Sequence, residues 1–217
     1  MTLNLFDLPG DVRPRKEPLG PGAVVLREFA AASEAALLED LRGLVRESPF
    51  RHMITPGGFR MSVAMTNCGA LGWVTDRTGY RYDPVDPEQG RAWPRMPGSF
   101  LRLAKDAATA GGFEGFVPDA CLINRYVPGA KMSLHQDKNE RRYSEPVVSI
   151  SLGLPAIFLF GGHERSDKPR KVSLFHGDVV VWGGVDRLRF HGVMPIKDGV
   201  HPIMGPQRIN LTFRTAG

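Results

Sequence analysis

The sequence predicts an α+β protein: a double-stranded β-helix, or jelly roll, braced by two N-terminal helices. Two patterns carry this. Apolar residues recur at helical spacing in two stretches, both before residue 112. After Pro118 the pattern changes to some eight short strand-like runs punctuated by glycine and proline. A third observation favours a jelly roll over other double-sheet folds. His135-Gln136-Asp137 and the distant His191 make one chemical set only if early and late strands lie side by side.

Taken in order, residues 1–22 read as an extended arm, with Pro9, Pro14, Pro18 and Pro21 interleaved with Gly10, Gly20 and Gly22. Residues 23–217 then read as a single domain. Ala23 to Phe29 is a short strand. From Ser33, a candidate N-cap, Leu37, Leu38, Leu41, Leu44 and Val45 define a helix that Ser48-Pro49 ends. A second helix is expected from Pro97 through Phe100, Leu103, Ala104, Ala107 and Ala108, stopping at Gly111-Gly112. Residues 52–94, between the helices, combine glycines and prolines with Phe59, Trp73, Tyr80, Tyr82 and Trp93, and with Arg60, Arg77, Arg81 and Arg91. Aromatic faces and guanidinium groups on flexible backbone can stack bases and hold phosphates, but composition alone favours a loop-rich lid pinned to the core by its aromatics. The strands of the core, 118–217, are expected at 120–127, 132–136, 146–152, 156–160, 170–175, 178–182, 189–194 and 207–214.

Composition narrows the class. A hydrophobic content of 42% in 217 residues supports a full core and excludes predominant disorder. Lysine and arginine outnumber acids by 28 to 23, a balance compatible with a polyanionic partner. Cys68 and Cys121 are the only cysteines and form no C-x-x-C pair, which argues against a disulfide framework or a cysteine zinc site. There is no apolar run of membrane-spanning length, and Met1 to Gly10 lacks a basic region and carries Asp7, so it is not a secretory signal. The expectation is a cytoplasmic monomer with no membrane partner.

Residues two apart on a strand point to one side, so His135 and Asp137 share a face. With a second imidazole they make three ligands on one face of an octahedral metal, leaving positions open, as in non-haem iron(II) oxygenases. The rival pair His176-Gly177-Asp178 lies between two apolar runs and reads as a hairpin tip. His52, His163 and His201 have no partner at metal spacing. The chosen set is His135, Asp137 and His191. Polar groups also recur at period two in Leu122-Asn124-Tyr126 and in Arg208-Asn210-Thr212-Arg214, with Ile209, Leu211 and Phe213 on the opposite face. An inward arginine requires an anionic occupant or partner, and its fork suits a carboxylate.

Pro56-Gly57-Gly58-Phe59, Met61-Ser62-Val63-Ala64-Met65-Thr66-Asn67-Cys68-Gly69, Leu122-Ile123-Asn124-Arg125-Tyr126, His135-Gln136-Asp137-Lys138, Val179-Val180-Val181-Trp182-Gly183-Gly184 and Arg208-Ile209-Asn210-Leu211-Thr212-Phe213-Arg214 together resemble the bacterial AlkB family. That family consists of iron(II)- and 2-oxoglutarate-dependent dioxygenases that repair alkylated DNA. The resemblance implies that His135, Asp137 and His191 bind iron(II) and that Arg208 clamps the distal carboxylate of 2-oxoglutarate. Asn124, Arg125 and Tyr126 would assist it, with Asn210 and Arg214 near the metal-bound end. It makes residues 52–94 a nucleotide-recognition lid. There Trp73 stacks on the damaged base opposite His135, Tyr80, Arg81 and Tyr82 bind flanking backbone, and Arg165 reaches in from the far wall.

The implied reaction consumes O2 and 2-oxoglutarate, releases succinate and CO2, and hydroxylates the N-methyl group of 1-methyladenine or 3-methylcytosine, which then loses formaldehyde. The implied substrate is single-stranded or flipped-out DNA. One position departs from the family: Asn139 stands where an aspartate is usual, keeping an acceptor oxygen but losing the charge. The competing expectations are a dioxygenase acting mainly on methylated RNA and a non-catalytic nucleic-acid-binding module.

Overall fold

In a computed structural model of the chain, residues 16–217 are described, and most of the expected arm lies outside them. Helix α1, Glu34–Glu47, buries Leu37, Leu38, Leu41 and Leu44, and helix α2, Gly98–Ala110, buries Phe100, Leu103, Ala104, Ala107 and Ala108. Spacings of three and four place each set on one stripe. Both stripes join Ile123, Val148, Ile150, Ile209, Leu211 and Phe213 in one core. Ser33 precedes α1 but makes no capping bond, since its backbone (φ −103°, ψ 0°) follows a 3-10 turn over Ala31–Ser33 and is not extended as a side-chain cap requires. Pro97 takes the cap position of α2, one residue before the first helical turn.

The strands are β1 Lys16–Gly20, β2 Ala23–Leu26, β3 Ala64–Gly69, β4 Gly72–Asp76, β5 Gly79–Asp83, β6 Val85–Asp86, β7 Arg91–Ala92, β8 Ala120–Tyr126, β9 Met132–His135, β10 Val147–Gly153, β11 Ala156–Phe160, β12 Arg170–Leu174, β13 Val179–Trp182, β14 His191–Val193 and β15 Arg208–Arg214. The major sheet runs β1-β2-β13-β10-β15-β8-β3 and the minor sheet β12-β11-β14-β9, while β4-β5 and β6-β7 are separate ribbons. The helices cover the outer face of the major sheet. Its inner face meets the minor sheet in a second core containing Leu122, Tyr126, Phe158, Phe160 and Trp182. This is the expected jelly roll, and all eight strands predicted after Pro118 are present.

Four expectations need correction. Lys16–Gly20, part of the expected arm, is an edge strand because it pairs antiparallel with β2. Residues 64–69 fall inside the expected lid, yet β3 belongs to the major sheet and pairs along its length with β8. The aromatic part of that stretch is the β4–β5 hairpin, which carries Trp73, Tyr80 and Tyr82. His176-Gly177-Asp178 is no hairpin tip: β12 and β13 lie in different sheets, so the turn is a corner between them. Gly177 adopts φ +87°, and Asp178 accepts bonds from Phe175 N, Glu28 N and the Arg27 guanidinium, which tie the corner down. Finally, the arginine-bearing strand 207–214, which the sequence order suggests closing the domain beside the metal strand, does not pair with β9. It faces β9 from the opposite sheet, so the arginine row looks across the sandwich.

Candidate active site

Strands β9 and β14 pair with His135 directly opposite His191, and Asp137 follows where β9 leaves the sheet. The ligand atoms of the three residues lie within 4.8 Å of one another. His135 Nε2 is 3.8 Å from Asp137 Oδ1, and His191 Nε2 is 3.7 Å from Asp137 Oδ2. Each imidazole is oriented by its other nitrogen. His135 Nδ1 is 2.9 Å from the carbonyl of Ser133, and His191 Nδ1 is 3.0 Å from that of Arg189. A proton on Nδ1 that donates to these carbonyls leaves both Nε2 lone pairs pointing at one spot, the tautomer a metal needs.

The charges suit a cation as well. Burial favours the neutral carboxyl of Asp137, but the Arg214 guanidinium outweighs it, helped by His191, His135 and Arg187, and holds the group below the usual carboxylate range. Arg214 Nε and Nη2 both donate to Asp137 Oδ2, at 2.9 and 2.7 Å, while Arg187 Nη1 donates to the Asp137 carbonyl at 2.9 Å. Burial and the neighbouring His135 push the His191 imidazole down to about 4, so it is neutral at physiological pH. The donor set of two imidazole nitrogens and one anionic oxygen therefore fits a divalent metal.

The close pairing of β9 and β14 depends on Gly192. A Cβ there would stand 2.7 Å from the Met132 carbonyl oxygen. Gly192→Ala should push β14 away from β9 and separate His191 from His135. The expected result is a fall in metal affinity of about tenfold or more, as for loss of a ligand-orienting contact, measured by metal titration. Unchanged affinity would show that the pairing tolerates the methyl group.

Next to the trio is a narrow cavity lined by Leu122, Asn124, Tyr126, Ser149, Trp182, Arg208, Asn210, Thr212 and Arg214. Arg208 is only 1% exposed. Its Nη2 donates to Ser151 Oγ at 3.1 Å and its Cζ lies 5.1 Å from the Tyr126 ring, but Nε and Nη1 are buried with no acceptor. Burial presses its pKa down, with Tyr126 partly offsetting. A buried guanidinium with two unmet donors fits a carboxylate arriving from outside the chain. Asn210 also lines the cavity, yet its amide donates to Ser149 Oγ and the Ile150 carbonyl and accepts from Thr212, so it stiffens the wall.

The expected place of Arg125 is beside Asn124 and Tyr126, but alternation along β8 sends it to the opposite face, where its guanidinium lies 4.8 Å from the centre of the Phe50 ring. It is not part of this cavity. Ser149, Ser151 and Trp182 were missed. The serines were legible as polar residues at period two in an otherwise aliphatic strand. Trp182, whose buried Nε1 has no partner, was hidden in an apolar run.

The lid hairpin is latched to the loop after Asp137. Tyr82 Oη donates to Glu140 Oε1 at 2.7 Å, and Trp73 Nε1 donates to Asn139 Oδ1 at 3.3 Å. Burial pushes the Tyr82 phenol upward, so it remains a donor. Trp73 stacks on Tyr80 with centroids 5.7 Å apart, and Asn67 grips both backbone groups of Trp73. Arg81 is engaged within the hairpin by Asp76 and Asp83 at 2.9 and 3.5 Å. Arg165 lies over Phe190 at 5.9 Å.

A mononuclear triad of two imidazoles and one carboxylate in a jelly roll, with a buried guanidinium waiting beside it, defines an oxygenase that uses a metal and an organic acid together. The family model described as the 2OG-Fe(II) oxygenase superfamily matches residues 22–214. Alpha-ketoglutarate-dependent dioxygenase AlkB of Escherichia coli (strain K12) is 57% identical over 98% of this chain and 99% of its own length. DNA N(6)-methyladenine demethylase ALKBH1C of Arabidopsis thaliana is 35% identical over 66% of this chain and 37% of its own length. The solved structure of OsALKBH1 superposes with a TM-score of 0.82 at 33% identity, covering 93% of this chain and all of that one. The chain belongs to the 2OG-Fe(II) oxygenase superfamily, as a dioxygenase of the bacterial AlkB type. Its cofactor is iron(II), and its co-substrates are 2-oxoglutarate and O2. Among the described residues no helix is long and apolar enough to cross a membrane.

Proposed function

We propose that this chain repairs DNA by removing methyl groups from the Watson–Crick nitrogens of bases, 1-methyladenine and 3-methylcytosine above all, in single strands or flipped out of a duplex. The observation that carries the reading is the aromatic hairpin latched beside the metal trio through Trp73–Asn139 and Tyr82–Glu140. A planar cationic base can stack on the Trp73 face. A methyl on a pairing nitrogen also lowers the cost of extruding that base.

In this reading His135, Asp137 and His191 hold iron(II). Arg208, set by Ser151 and Tyr126, binds the distal carboxylate of 2-oxoglutarate through Nε and Nη1, with Asn124 beside it. Iron(II), bound with 2-oxoglutarate and oxygen, supplies the oxidising power that turns the methyl into a hydroxymethyl group. Loss of formaldehyde from that group restores the base, while the co-substrate leaves as succinate and CO2. Arg214 acts through Asp137, keeping the carboxylate ionised and pointed at the metal. Tyr80, half exposed on the hairpin, contacts flanking nucleotides in this reading, and Arg165 reaches the substrate from the other wall. The excess of lysine and arginine serves the phosphates, so binding should weaken with salt. The chain works as a monomer in the cytoplasm.

Formaldehyde and succinate released in equal amounts from single-stranded DNA bearing 3-methylcytosine would support this reading. Faster release from the matching RNA would shift the substrate class.

Asn139 accepts from the Trp73 indole, so it touches the same ring that the base would stack on. Asn139→Asp adds a charge that complements both lesions and strengthens the bond from Trp73. The expected outcome is a change in the relative rates on 1-methyladenine and 3-methylcytosine of about two- to tenfold, equivalent to roughly 0.4–1.4 kcal/mol. Equal ratios in the two proteins would show that this position does not tune lesion choice.

A further inference from the structure

We propose that the chain has a second ligand site, for a small organic anion with an apolar body, on the outer face of the major sheet. Between α1, β8, β15 and residues 203–207 lies a cavity of ≈ 420 Å³, within the range of small-molecule pockets. It is separate from the iron site. Its floor is Arg125 and Ile209, cross-strand partners that point away from the side occupied by Asn124, Tyr126, Arg208 and Asn210.

Among the described residues the lining combines three guanidinium groups, from Arg42, Arg46 and Arg125, with apolar walls including Phe50 and Met204 and no acidic residue, and the exposed Arg42 also reaches Glu39 Oε2 at 3.4 Å outside it. Arg125 Nε is buried without a hydrogen-bond partner among the described residues, and its Cζ lies 4.8 Å from the centre of the Phe50 ring. In contrast, Arg187 and Arg214 each meet carboxylates. A buried unmet donor among apolar walls asks for an acceptor on a molecule that also fills the apolar space. One wall is held in place: His201 and Gly205 exchange backbone bonds at 2.9 Å, and the His201 ring stacks on His176 at 4.4 Å, nearly parallel. The occupant that fits is an aliphatic or aromatic carboxylate or sulfonate. Its head would bind Arg125 and its body would lie along Phe50, Met204 and Ile209.

The test uses 8-anilinonaphthalene-1-sulfonate, an aromatic sulfonate, titrated into the full chain by fluorescence and by backbone amide NMR. The proposal expects saturable binding that 2-oxoglutarate does not displace, with shifts confined to residues 38–50, 125 and 203–209. Arg125→Met should weaken it by at least about tenfold, as for loss of a charge-assisted bond. The uncharged N-phenyl-1-naphthylamine should bind correspondingly worse. Displacement by 2-oxoglutarate, shifts elsewhere, or equal binding of the neutral dye would each overturn the proposal. So would a dimer in sedimentation that the dye dissociates, because a second copy would then be the occupant. The NMR map uses the unaltered protein, so the outcome does not depend on how the variant folds.

Discussion

Asp137→Asn is expected to fold, to fail to hold iron(II) and to lose turnover by about 1000-fold or more, corresponding to loss of roughly 4 kcal/mol of metal binding. Asp137 is the one anion in the trio, and an amide cannot replace its charge toward a divalent metal. The variant keeps an acceptor for Arg214, whose Nε also lies 3.3 Å from Glu140 Oε1, so the buried guanidinium is not stranded. Destabilisation should therefore stay near 1–3 kcal/mol, the cost of weakening a buried hydrogen bond.

The pH dependence has a definite sign. The folded carboxyl of Asp137 is held below its ordinary range, chiefly by Arg214 working against burial. Its contribution to stability is present above about pH 4, the ordinary aspartate pKa, and is lost as pH falls toward the folded value. The variant should lack that part of the acid slope. Melting curves with and without added manganese(II) check the metal: the wild type should rise and the variant should not. Turnover within tenfold of the wild type would remove Asp137 from the metal site.

Arg208→Met separates binding from stability. Removing two charge-assisted hydrogen bonds to a carboxylate, at roughly 1.5–3 kcal/mol each, should raise the KM for 2-oxoglutarate by about 100-fold or more. The protein itself should be no less stable without co-substrate, and it stands to gain. The guanidinium it loses is buried with Nε and Nη1 unmet, and an apolar side chain of similar length removes that cost. 2-Oxoglutarate should raise the melting temperature of the wild type and leave that of the variant unchanged. A large drop in the variant's melting temperature without co-substrate would mean that Arg208 serves the fold rather than an incoming acid.

The parts of the site that were legible in the sequence are those governed by local parity. His135 and Asp137 share a face because they are two residues apart on an extended chain, and the same period gathered Arg208, Asn210, Thr212 and Arg214. Parity also assigns Arg125 to the far side, since Asn124 and Tyr126 take the near one. The helices were legible because their leucines and alanines keep a 3.6-residue stripe.

What stayed hidden depends on distant partners. Strand β3, Ala64–Gly69, mixes small, polar and apolar residues without a clean strand signature. It is buried because it pairs with β8 and sends Met65 and Cys68 into the two cores, while Thr66 donates to Ser48 and Asn67 grips Trp73, contacts that local pattern does not encode. Arg187 looks like a surface loop residue, yet it is 2% exposed and ties Asp137, Glu140 and Glu145 together across some forty to fifty residues of chain. The latch from Tyr82 to Glu140 is hidden for the same reason. Both residues are common types in polar segments, and only the fold brings them to 2.7 Å.

The measurement that tests the account most directly is a mass spectrum of a short single-stranded DNA carrying one 1-methyladenine. It would be incubated with the protein, iron(II), 2-oxoglutarate and air, beside the same mixture without 2-oxoglutarate. Loss of one methylene mass is expected in the complete mixture alone. Succinate formation with the DNA mass unchanged would contradict the proposed substrate while leaving the iron and 2-oxoglutarate site in place. Neither methyl loss nor succinate from folded, metal-loaded protein would contradict the active site itself.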